Sequence, residues 1–466
     1  MGAGAGRALR ARTHNARGAR RAPRGGAQRL KRTLVEEGEC LLELRDLLLG
    51  KFLSHFEVEK EWKEMVRGEE RGKRDEQSKR AATGLVTSRD EAAIFLSFFI
   101  MQKIEIMDGF DYRRLPKAEL HAHLHGSIRD ATLLELLDAA AASSAPLAAM
   151  RVLRETERQR SLSDCFALFD SIHQVVDTPA AVERIAAEVV EDFAADGVRY
   201  LELRTTPRFD KMTPYEYIDA IEHGVQRASA ASSCVVRLLL SINRGQSVAR
   251  ADATVDLAIS LCRSGYGRVV GVDLSGNPTV GDFASFIPCL QRARQNGLRV
   301  TVHCAEVVKP AEVRAIAAFA PDRLGHALHL PRDVLQKLLA RVPRIPIEIC
   351  PSSNSHTLQM RTLTDHPTLG TWLEEAYPIS ICTDDAGVFA TSASEELRRV
   401  AAAFGLSPPQ LARLAAAPFA HAFADGGKDT VFAAMLTDVA AEYVALGFAA
   451  CGAGVAALSA QWRSAL

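Results

Sequence analysis

Eight short β-rich runs, separated by longer segments with helical periodicity, are the feature that most constrains the fold of this 466-residue chain. Two of the helical segments, "AAVERIAAEVVEDFAADG" and "SFIPCLQRARQNG", end in glycine, a common helix stop. Strands that alternate with helices favour a parallel sheet, and eight such units predict a closed (β/α)8 barrel, an α/β fold. The runs are residues 118–125, 199–207, 234–243, 268–276, 298–306, 322–329, 345–353 and 378–385.

Polar residues gather at or near the C-terminal ends of these runs. A barrel of this kind places its active site at that rim, and random surface polarity would not choose the same end of eight strands. We therefore expect the functional residues among this set: His123, Arg208, Asn243, Asp273, His303, Glu306, His326, Asn354, Asp384 and Asp385.

The first run contains "ELHAHLHGS", with histidines at three alternate positions. Positions i and i+2 of a strand share a face about 7 Å apart, so His121 and His123 can converge on one metal ion. His125 would lie about 13 Å from His121 along an extended strand, which is too far for easy sharing. His303 in "TVHCAE" is a third candidate ligand, and Asp384 in "TDD" either supplies the fourth or holds a hydroxide. Taken alone, the first pair could equally be two core histidines.

Three further ionisable residues complete the constellation. Glu306 follows the fifth run and can move protons for a metal-activated water. Asp385 points away from Asp384 on an extended backbone and is free to touch substrate. His326 in "GHAL" would by itself be a buried structural histidine, but as a member of this set it is a candidate catalytic group.

The ordered motifs "LPKAELHAHLHGS", "VDLSGNP", "TVHCAE", "RLGHAL", "EICPSSN" and "ISICTDDAGVF" resemble those of the adenosine/AMP deaminase family of metal-dependent hydrolases. The resemblance runs from about residue 111 to between about residues 425 and 450. It implies a TIM barrel with one zinc ion per chain that hydrolyses the 6-amino group of a purine. The fourth run contains no lysine of the kind that bridges two metals in related enzymes, which favours a single ion.

The resemblance also implies roles for individual residues. Glu306 would donate a proton to purine N1, and His326 would act on the zinc-bound water and stabilise developing charge. Gly276 would present its backbone to the purine, and Asp385 would hydrogen-bond the ring. His123 would contact substrate as well as metal. The implied zinc ligands are His121, His123, His303 and Asp384.

Other segments look more like the subgroup of adenosine deaminase-like proteins, which act on N6-methyl-AMP. His173, in "SLSDCFALFDSIHQVVDTP", would contact the nucleotide. Asn243 stands where the subgroup usually has aspartate, with Arg244 beside it. His125 stands where these families usually carry Asp or Asn toward the ribose-phosphate end, and a protonated ring there would favour a phosphate. A phosphate cradle is predicted in "ELRTTPR", the alternative being a capped loop with a solvent-facing arginine; its residues are Thr205, Thr206, Pro207 and Arg208.

These implications predict a zinc hydrolase that converts N6-methyl-AMP to IMP and methylamine in purine nucleotide catabolism or salvage. The alternatives are an adenosine deaminase, which forms inosine and ammonia, and a non-catalytic purine-binding protein on the same barrel. AMP deaminase proper is disfavoured, because the long regulatory N-terminal region of those enzymes is not recognised here.

The amino-acid composition indicates which partners and which cellular compartment to expect. Lys+Arg and Asp+Glu both number 57, so no bulk charge indicates nucleic acid or a membrane surface. Nine cysteines without a CxxC pair indicate a reducing compartment, and we expect a cytoplasmic monomer whose partner is a small purine nucleotide. The strongest apolar run, residues 92–101, is too short to span a bilayer and is expected to be a helix with one buried face.

The N-terminal region differs in texture from the rest. Residues 1–33 carry ten Arg or Lys and no acid, which is compatible with a transit peptide, a nucleic-acid-binding tail or a disordered extension. Residues 34–106 have a helical, charged pattern without recognisable chemistry. We therefore predict an extension over 1–106 without a catalytic role and a deaminase barrel over 107–466, with Met107 as a natural start and organelle targeting by residues 1–33 as the alternative to the cytoplasm.

Overall fold

The eight-stranded barrel is confirmed by the computed structural model, which describes residues 109–141, 161–424 and 429–464. The strands form one sheet in chain order, and each neighbouring pair from β1 to β8 is parallel. The strands are β1 Lys117–His123, β2 Val198–Thr205, β3 Val235–Asn243, β4 Val269–Ser275, β5 Arg299–Cys304, β6 Arg323–His326, β7 Ile347–Ile349 and β8 Ile379–Ile381.

The sheet closes through the residues just beyond β8. The backbone N–H of His123 donates to the carbonyl oxygen of Asp384 at 2.8 Å, and the N–H of Asp384 donates to the carbonyl of His121 at 2.8 Å. These bonds pair Ala122 with Asp384 as a parallel bridge. Barrel closure therefore falls on three of the four predicted metal ligands.

Helices connect successive strands and begin with recognisable caps. The Thr178 side chain accepts a hydrogen bond from the Ala181 N–H at the start of α3, which has proline at its first position. The predicted stop at Gly197 is observed, with φ +83°. The helices are α1 Asp130–Ala141, α2 Leu162–Val175, α3 Pro179–Ala195, α4 Pro214–Ser229, α5 Val248–Arg263, α6 Ile287–Gln295, α7 Pro310–Phe319, α8 Arg332–Ala340, α9 Pro351–Thr357, α10 Leu369–Glu374, α11 Ala393–Phe404, α12 Pro408–Ala416, α13 Thr430–Ala445 and α14 Ala449–Ser464.

Several predicted strands are too long at their C-terminal ends. The run 345–353 shortens to β7, because α9 begins at Pro351, and the run 378–385 shortens to β8. His326, the last residue of β6, and Asp384, beyond β8, have φ values of +60° and +62°, so the extended backbone does not continue past them. Left-handed backbone at non-glycine residues is uncommon and concentrates at functional sites.

A buried ion-pair network fills the barrel interior beneath this rim. Glu348 on β7 accepts hydrogen bonds from Arg204 at 2.5 Å, Arg323 at 2.6 Å and Thr301 at 3.0 Å. Arg323 also pairs with Glu202. All five residues are at most 1% exposed. Removing one member of such a network leaves an uncompensated buried charge, so the charges hold one another in place.

Several predictions fall outside the described residues. They are the basic tail 1–33, the helical segment 34–106, the apolar run 92–101 and the domain start at Met107. Within the part of the chain that the structure describes, no helix combines the length and apolar character needed to cross a membrane.

A glycine inside α4 should control the packing of α3 against α4. A Cβ on Gly224 would lie 2.3 Å from the Glu183 carbonyl oxygen and 2.9 Å from the Ala187 nitrogen, whereas a Cβ on Gly454 of α14 meets nothing within 4 Å. We expect Gly224→Ala to lower the free energy of unfolding by about 1–3 kcal/mol, because backbone atoms cannot move aside cheaply. Gly454→Ala should be neutral or raise it by up to about 1 kcal/mol. Denaturant unfolding of both variants measures the difference, and equal effects would contradict this packing.

Candidate active site

Four side chains converge at the C-terminal rim of the barrel. The Nε2 atom of His303 on β5 lies 3.2 Å from that of His121 and 3.3 Å from that of His123, both on β1. Asp384 Oδ1 lies 3.2 Å from the Nε2 of His121 and 3.3 Å from the Nε2 of His123. A tetrahedral zinc site with ligand bonds of about 2.0–2.1 Å has ligand–ligand edges of about 3.3–3.4 Å, so these four distances are those expected between atoms that share one zinc ion.

Hydrogen bonds to carboxylates fix the tautomers of two of these histidines. His121 Nδ1 lies 2.7 Å from Glu348 Oε2, and His303 Nδ1 lies 3.0 Å from Asp273 Oδ1. Because a carboxylate only accepts, each Nδ1 carries the proton and each Nε2 presents a lone pair. Two lone pairs facing each other at 3.2 Å repel unless a cation lies between them. The donor set therefore suits one metal ion.

His326 and Glu306 border the same space. His326 Nε2 lies 3.9 Å from Glu306 Oε1 and 3.9 Å from Asp384 Oδ2, the aspartate oxygen on the other side from His121 and His123. Ser353 donates to that second oxygen at 2.7 Å. Burial, assisted by repulsion from Asp384, raises the pKa of Glu306 to about 8, so this carboxyl holds a proton at pH 7.

Asp385 and Gly276 lie near the rim on other loops. Asp385 is buried, and its Oδ1 has no hydrogen-bond partner among the described residues. Burial and the neighbouring Asp384 carboxylate raise the pKa of Asp385 well above its usual range. Gly276 follows β4 with φ +93°, and a Cβ there would lie 2.5 Å from Asn243 Oδ1. That oxygen accepts the Gly245 N–H at 2.9 Å, so Asn243 braces its own loop.

The remaining predicted residues form a second cluster at the ends of β1 and β2. The His125 ring contacts His173 with centroids 4.8 Å apart and stacks on Tyr217 at 6.3 Å. Thr205 and Tyr217 share a hydrogen bond through their hydroxyl groups, so the Thr205 hydroxyl is buried and engaged. Arg208 donates to the His173 carbonyl at 2.8 Å. The structure thus brings His125, His173 and Arg208 together in a cluster that contains none of the predicted metal ligands.

Burial determines the charge state of this second cluster. Together with repulsion from His173 and Arg208, it holds the pKa of His125 well below its usual range, so the ring is neutral at pH 7 and not in the protonated form that would favour a phosphate. Burial and Arg208 lower the pKa of His173 to about 4. The formal positive charge therefore resides on Arg208. Thr206 and Pro207, between Thr205 and Arg208, are half-buried and buried respectively.

Two arginines near the rim differ in availability. Arg244 is buried and pairs with Glu312 at 2.5 Å, so its charge is already neutralised within the protein. Arg208 pairs with Asp210 at 3.1 Å, and the Asp210 side chain is 64% exposed. Because water can solvate the largely exposed Asp210 carboxylate when it is displaced, Arg208 can exchange Asp210 for an anionic ligand.

Sequence reasoning missed the partners that orient the site. Asp273 was expected only as a rim residue, and Glu348 was only a letter of the "EICPSSN" motif. His366 was not singled out, although its Nε2 lies 3.1 Å from Asn354 Oδ1, and Asn354 bonds His326. Buried acids on strands beside histidine-bearing strands are the signal that could have found the first two.

Comparison with known proteins agrees with this geometry. The adenosine deaminase family model matches residues 116–438. The N6-mAMP deaminase of Arabidopsis thaliana is 40% identical over 336 residues, 67% of this chain and 93% of that protein. Human N6-methyl-AMP deaminase is 35% identical over 309 residues, 64% and 86% of the two chains. The crystal structure of Arabidopsis ADAL complexed with IMP has a TM-score of 0.66 at 38% identity, covering 71% of this chain and 97% of that one.

A parallel eight-stranded barrel with convergent histidines and aspartate at its C-terminal rim defines a metal-dependent hydrolase. The family match spans more than half of the chain, and this chain therefore belongs to the adenosine deaminase family. Its members are hydrolytic deaminases, and so is this protein.

Truncating Asp273 should weaken the metal site without removing a ligand. In Asp273→Ala, His303 Nδ1 loses its acceptor at 3.0 Å, so the ring is free to change tautomer and orientation. We expect metal affinity to fall about 10–100-fold, measured by competition with a chelator, and less in Asp273→Asn, which keeps an acceptor.

His125→Asn is the matched comparison, because that ring lies in the second cluster. It should retain the metal. Metal loss from His125→Asn would show that His125 belongs to the metal-ligand set. Undiminished affinity in Asp273→Ala would show that Asp273 does not orient His303 for metal binding.

Proposed function

We propose that this protein is a zinc-dependent deaminase of purine nucleotides, with N6-methyl-AMP as substrate and IMP and methylamine as products. The observation that carries the proposal is the combination of a three-histidine, one-aspartate set, whose atoms lie at the spacing of zinc ligands, with a second cluster containing Arg208. The first suits the reaction at C6, and the second suits a 5′-phosphate. Relatives of this chain named N6-methyl-AMP deaminase support the substrate.

Zinc is the metal that the donor set favours, because imidazole nitrogens and a carboxylate oxygen about 3.2–3.3 Å from one another are typical zinc ligands. His121, His123, His303 and Asp384 would hold it. When bound, zinc lowers the pKa of a coordinated water toward 7 and so supplies a nucleophile at neutral pH.

Glu306 supplies a proton to the purine ring, and His326 interacts with the attacking oxygen. The Glu306 carboxyl, protonated at pH 7, donates to purine N1, which makes C6 more electrophilic. His326 acts on the attacking oxygen and stabilises its developing charge. The C6–O bond forms and the C6–N6 bond then breaks. The proton from Glu306 stays on N1, one proton of the water ends on the departing amine, and the other restores the Glu306 carboxyl.

Substrate is held at both ends in this proposal. Gly276 offers its backbone and Asp385 its side chain to the purine ring, and His123 borders the reacting carbon. At the other end, Arg208 pairs with the phosphate in place of Asp210, beside neutral His125 and His173. Thr206 and Pro207 would contact the phosphate end of the substrate beside Arg208, and Asn243 lies directly against Gly276.

The proposal also covers the N-terminal extension, the oligomeric state and the compartment of the protein. Residues 1–106 contribute nothing to catalysis, the working protein is a monomer, and it resides in the cytoplasm. The second candidate function is adenosine deamination. Adenosine has no phosphate, so the cluster around Arg208 would have no role in binding it.

Substrate preference tests the phosphate end. We expect kcat/KM for N6-methyl-AMP to exceed that for adenosine, since only the nucleotide can pair with Arg208. Arg208→Ala should lower kcat/KM for N6-methyl-AMP about 10–100-fold, the usual worth of a hydrogen bond to a charged group, and change adenosine turnover by about twofold at most. Arg227, an exposed arginine on α4 paired with Glu183, provides the control variant Arg227→Ala. Equal or better activity on adenosine in the unaltered protein would remove the nucleotide assignment.

Replacing the proton donor separates chemistry from metal binding. Glu306→Gln keeps the shape of the side chain but cannot release a proton to N1, so turnover of N6-methyl-AMP should fall about 10²–10⁴-fold. Metal content should stay the same, because Glu306 is outside the proposed ligand set. Steady-state kinetics and metal analysis of the same preparation check both points, and an unimpaired variant would take Glu306 out of its role.

A further inference from the structure

His366 is a buried histidine whose proton position is set by the backbone. It lies in the turn before α10, where its Nδ1 accepts the N–H of Leu369 at 3.0 Å and faces the N–H of Thr368 at 3.3 Å. A backbone N–H cannot accept, so Nδ1 carries no proton. Burial lowers the pKa of His366 to about 4, which keeps the ring neutral at pH 7. Its single proton is therefore on Nε2.

The position of that proton fixes the orientation of the next group, Asn354 on α9. His366 Nε2 lies 3.1 Å from Asn354 Oδ1, and a protonated nitrogen requires the amide oxygen opposite it. The amide nitrogen of Asn354 then faces the other way, 3.0 Å from His326 Nδ1. Flipping the amide would set a donor against a donor at His366, so the backbone at the far end determines the orientation.

The chain of donors ends at His326. Because Asn354 donates to His326 Nδ1, that nitrogen carries a lone pair and the proton of the neutral ring is on Nε2. Nε2 lies 3.9 Å from each of Glu306 Oε1 and Asp384 Oδ2, so its N–H points into the space where the reacting oxygen must be. His366, Asn354 and His326 are 6%, 1% and 2% exposed, so bulk water has little access to rearrange the chain.

We infer that His366 and Asn354 are positioning residues that hold His326 in its Nε2–H tautomer, so that His326 donates a hydrogen bond to the oxygen attacking C6 instead of accepting a proton from it. The inference rests on the proposed function, because it specifies how His326 acts in that reaction. It assigns a role to two residues that touch neither substrate nor metal in the proposal.

The backbone around His326 supports such fixed positioning. His326 and Ala327 both have left-handed φ values, +60° and +53°, so the loop is constrained by its surroundings. Thr368, one of the residues facing His366, also donates from its hydroxyl to the Ala327 carbonyl at 3.2 Å. The turn that sets the proton of His366 is therefore tied directly to the residue after His326.

Asn354→Asp tests the tautomer, because a carboxylate is nearly the same shape but accepts at both ends. It should take a hydrogen bond from His366 Nε2–H and force the His326 proton onto Nδ1, leaving a lone pair at Nε2. In the full chain labelled with 15N-histidine, the His326 nitrogens, assigned by their loss in His326→Gln, report which one is protonated. We expect protonated Nε2 in the unaltered protein and protonated Nδ1 in Asn354→Asp, with and without added zinc. For N6-methyl-AMP, kcat should fall about 10²-fold with little change in KM.

A pair of His366 variants tests the far end of the chain. His366→Gln can still offer an amide N–H to Asn354 Oδ1, so it should keep the tautomer and most of kcat. His366→Leu cannot, and should lose both to a similar extent as Asn354→Asp. Thr357→Val is the control, because Thr357 is on α9 but bonds only the backbone of that helix. It should leave the tautomer and kcat unchanged.

The outcomes separate this inference from the proposed function. Protonated Nδ1 in the unaltered protein, or an unchanged kcat in Asn354→Asp after the tautomer has switched, would overturn the inference. If the unaltered protein has protonated Nε2 and turns over purines other than N6-methyl-AMP, with the same loss in Asn354→Asp, the positioning role stands and the proposed substrate fails.

Discussion

The two backbone hydrogen bonds between β1 and the residues after β8 are the contact on which the rest of the site depends. They join His123 to Asp384 and Asp384 to His121, each at 2.8 Å, where the first and last strands of the barrel meet. Without them Asp384 would belong to a loose connection, and its left-handed backbone would have nothing to hold it. Because the same residues carry the metal-binding side chains, closing the sheet and assembling the site are one event.

The charges buried below that junction extend its order into the barrel. Glu348 bonds His121 from beneath while it is held by Arg204 and Arg323, and Asp273 bonds His303 in the same way. These carboxylates fix the direction of each lone pair before any ion binds, which lowers the cost of ordering the ligands. The buried charges in the barrel interior therefore orient the metal-binding histidines at the rim. Replacing them with aliphatic side chains could give an equally stable barrel that binds the metal less well.

Much of this arrangement follows from local sequence pattern. Alternation along a strand is enough to place His121 and His123 on one face, and the position of His303 and Asp384 at strand ends is enough to bring them to the same rim. What local pattern cannot supply is register between strands, which decides that Glu348 lies under His121. Nor can it supply burial, which holds the pKa of His125 well below its usual range and so keeps the ring neutral. His366 lies in an irregular turn with no periodicity, so only the folded chain reveals its partners.

The most direct test of this account is X-ray absorption at the zinc edge, combined with metal analysis, on the full chain purified without added metal chelator. The account predicts one zinc ion per chain bound only by nitrogen and oxygen at about 2.0–2.1 Å, with the imidazole scattering of three histidines. Sulfur at about 2.3 Å, from a buried cysteine such as Cys350 or Cys382, would contradict the ligand set, and so would two metal ions per chain.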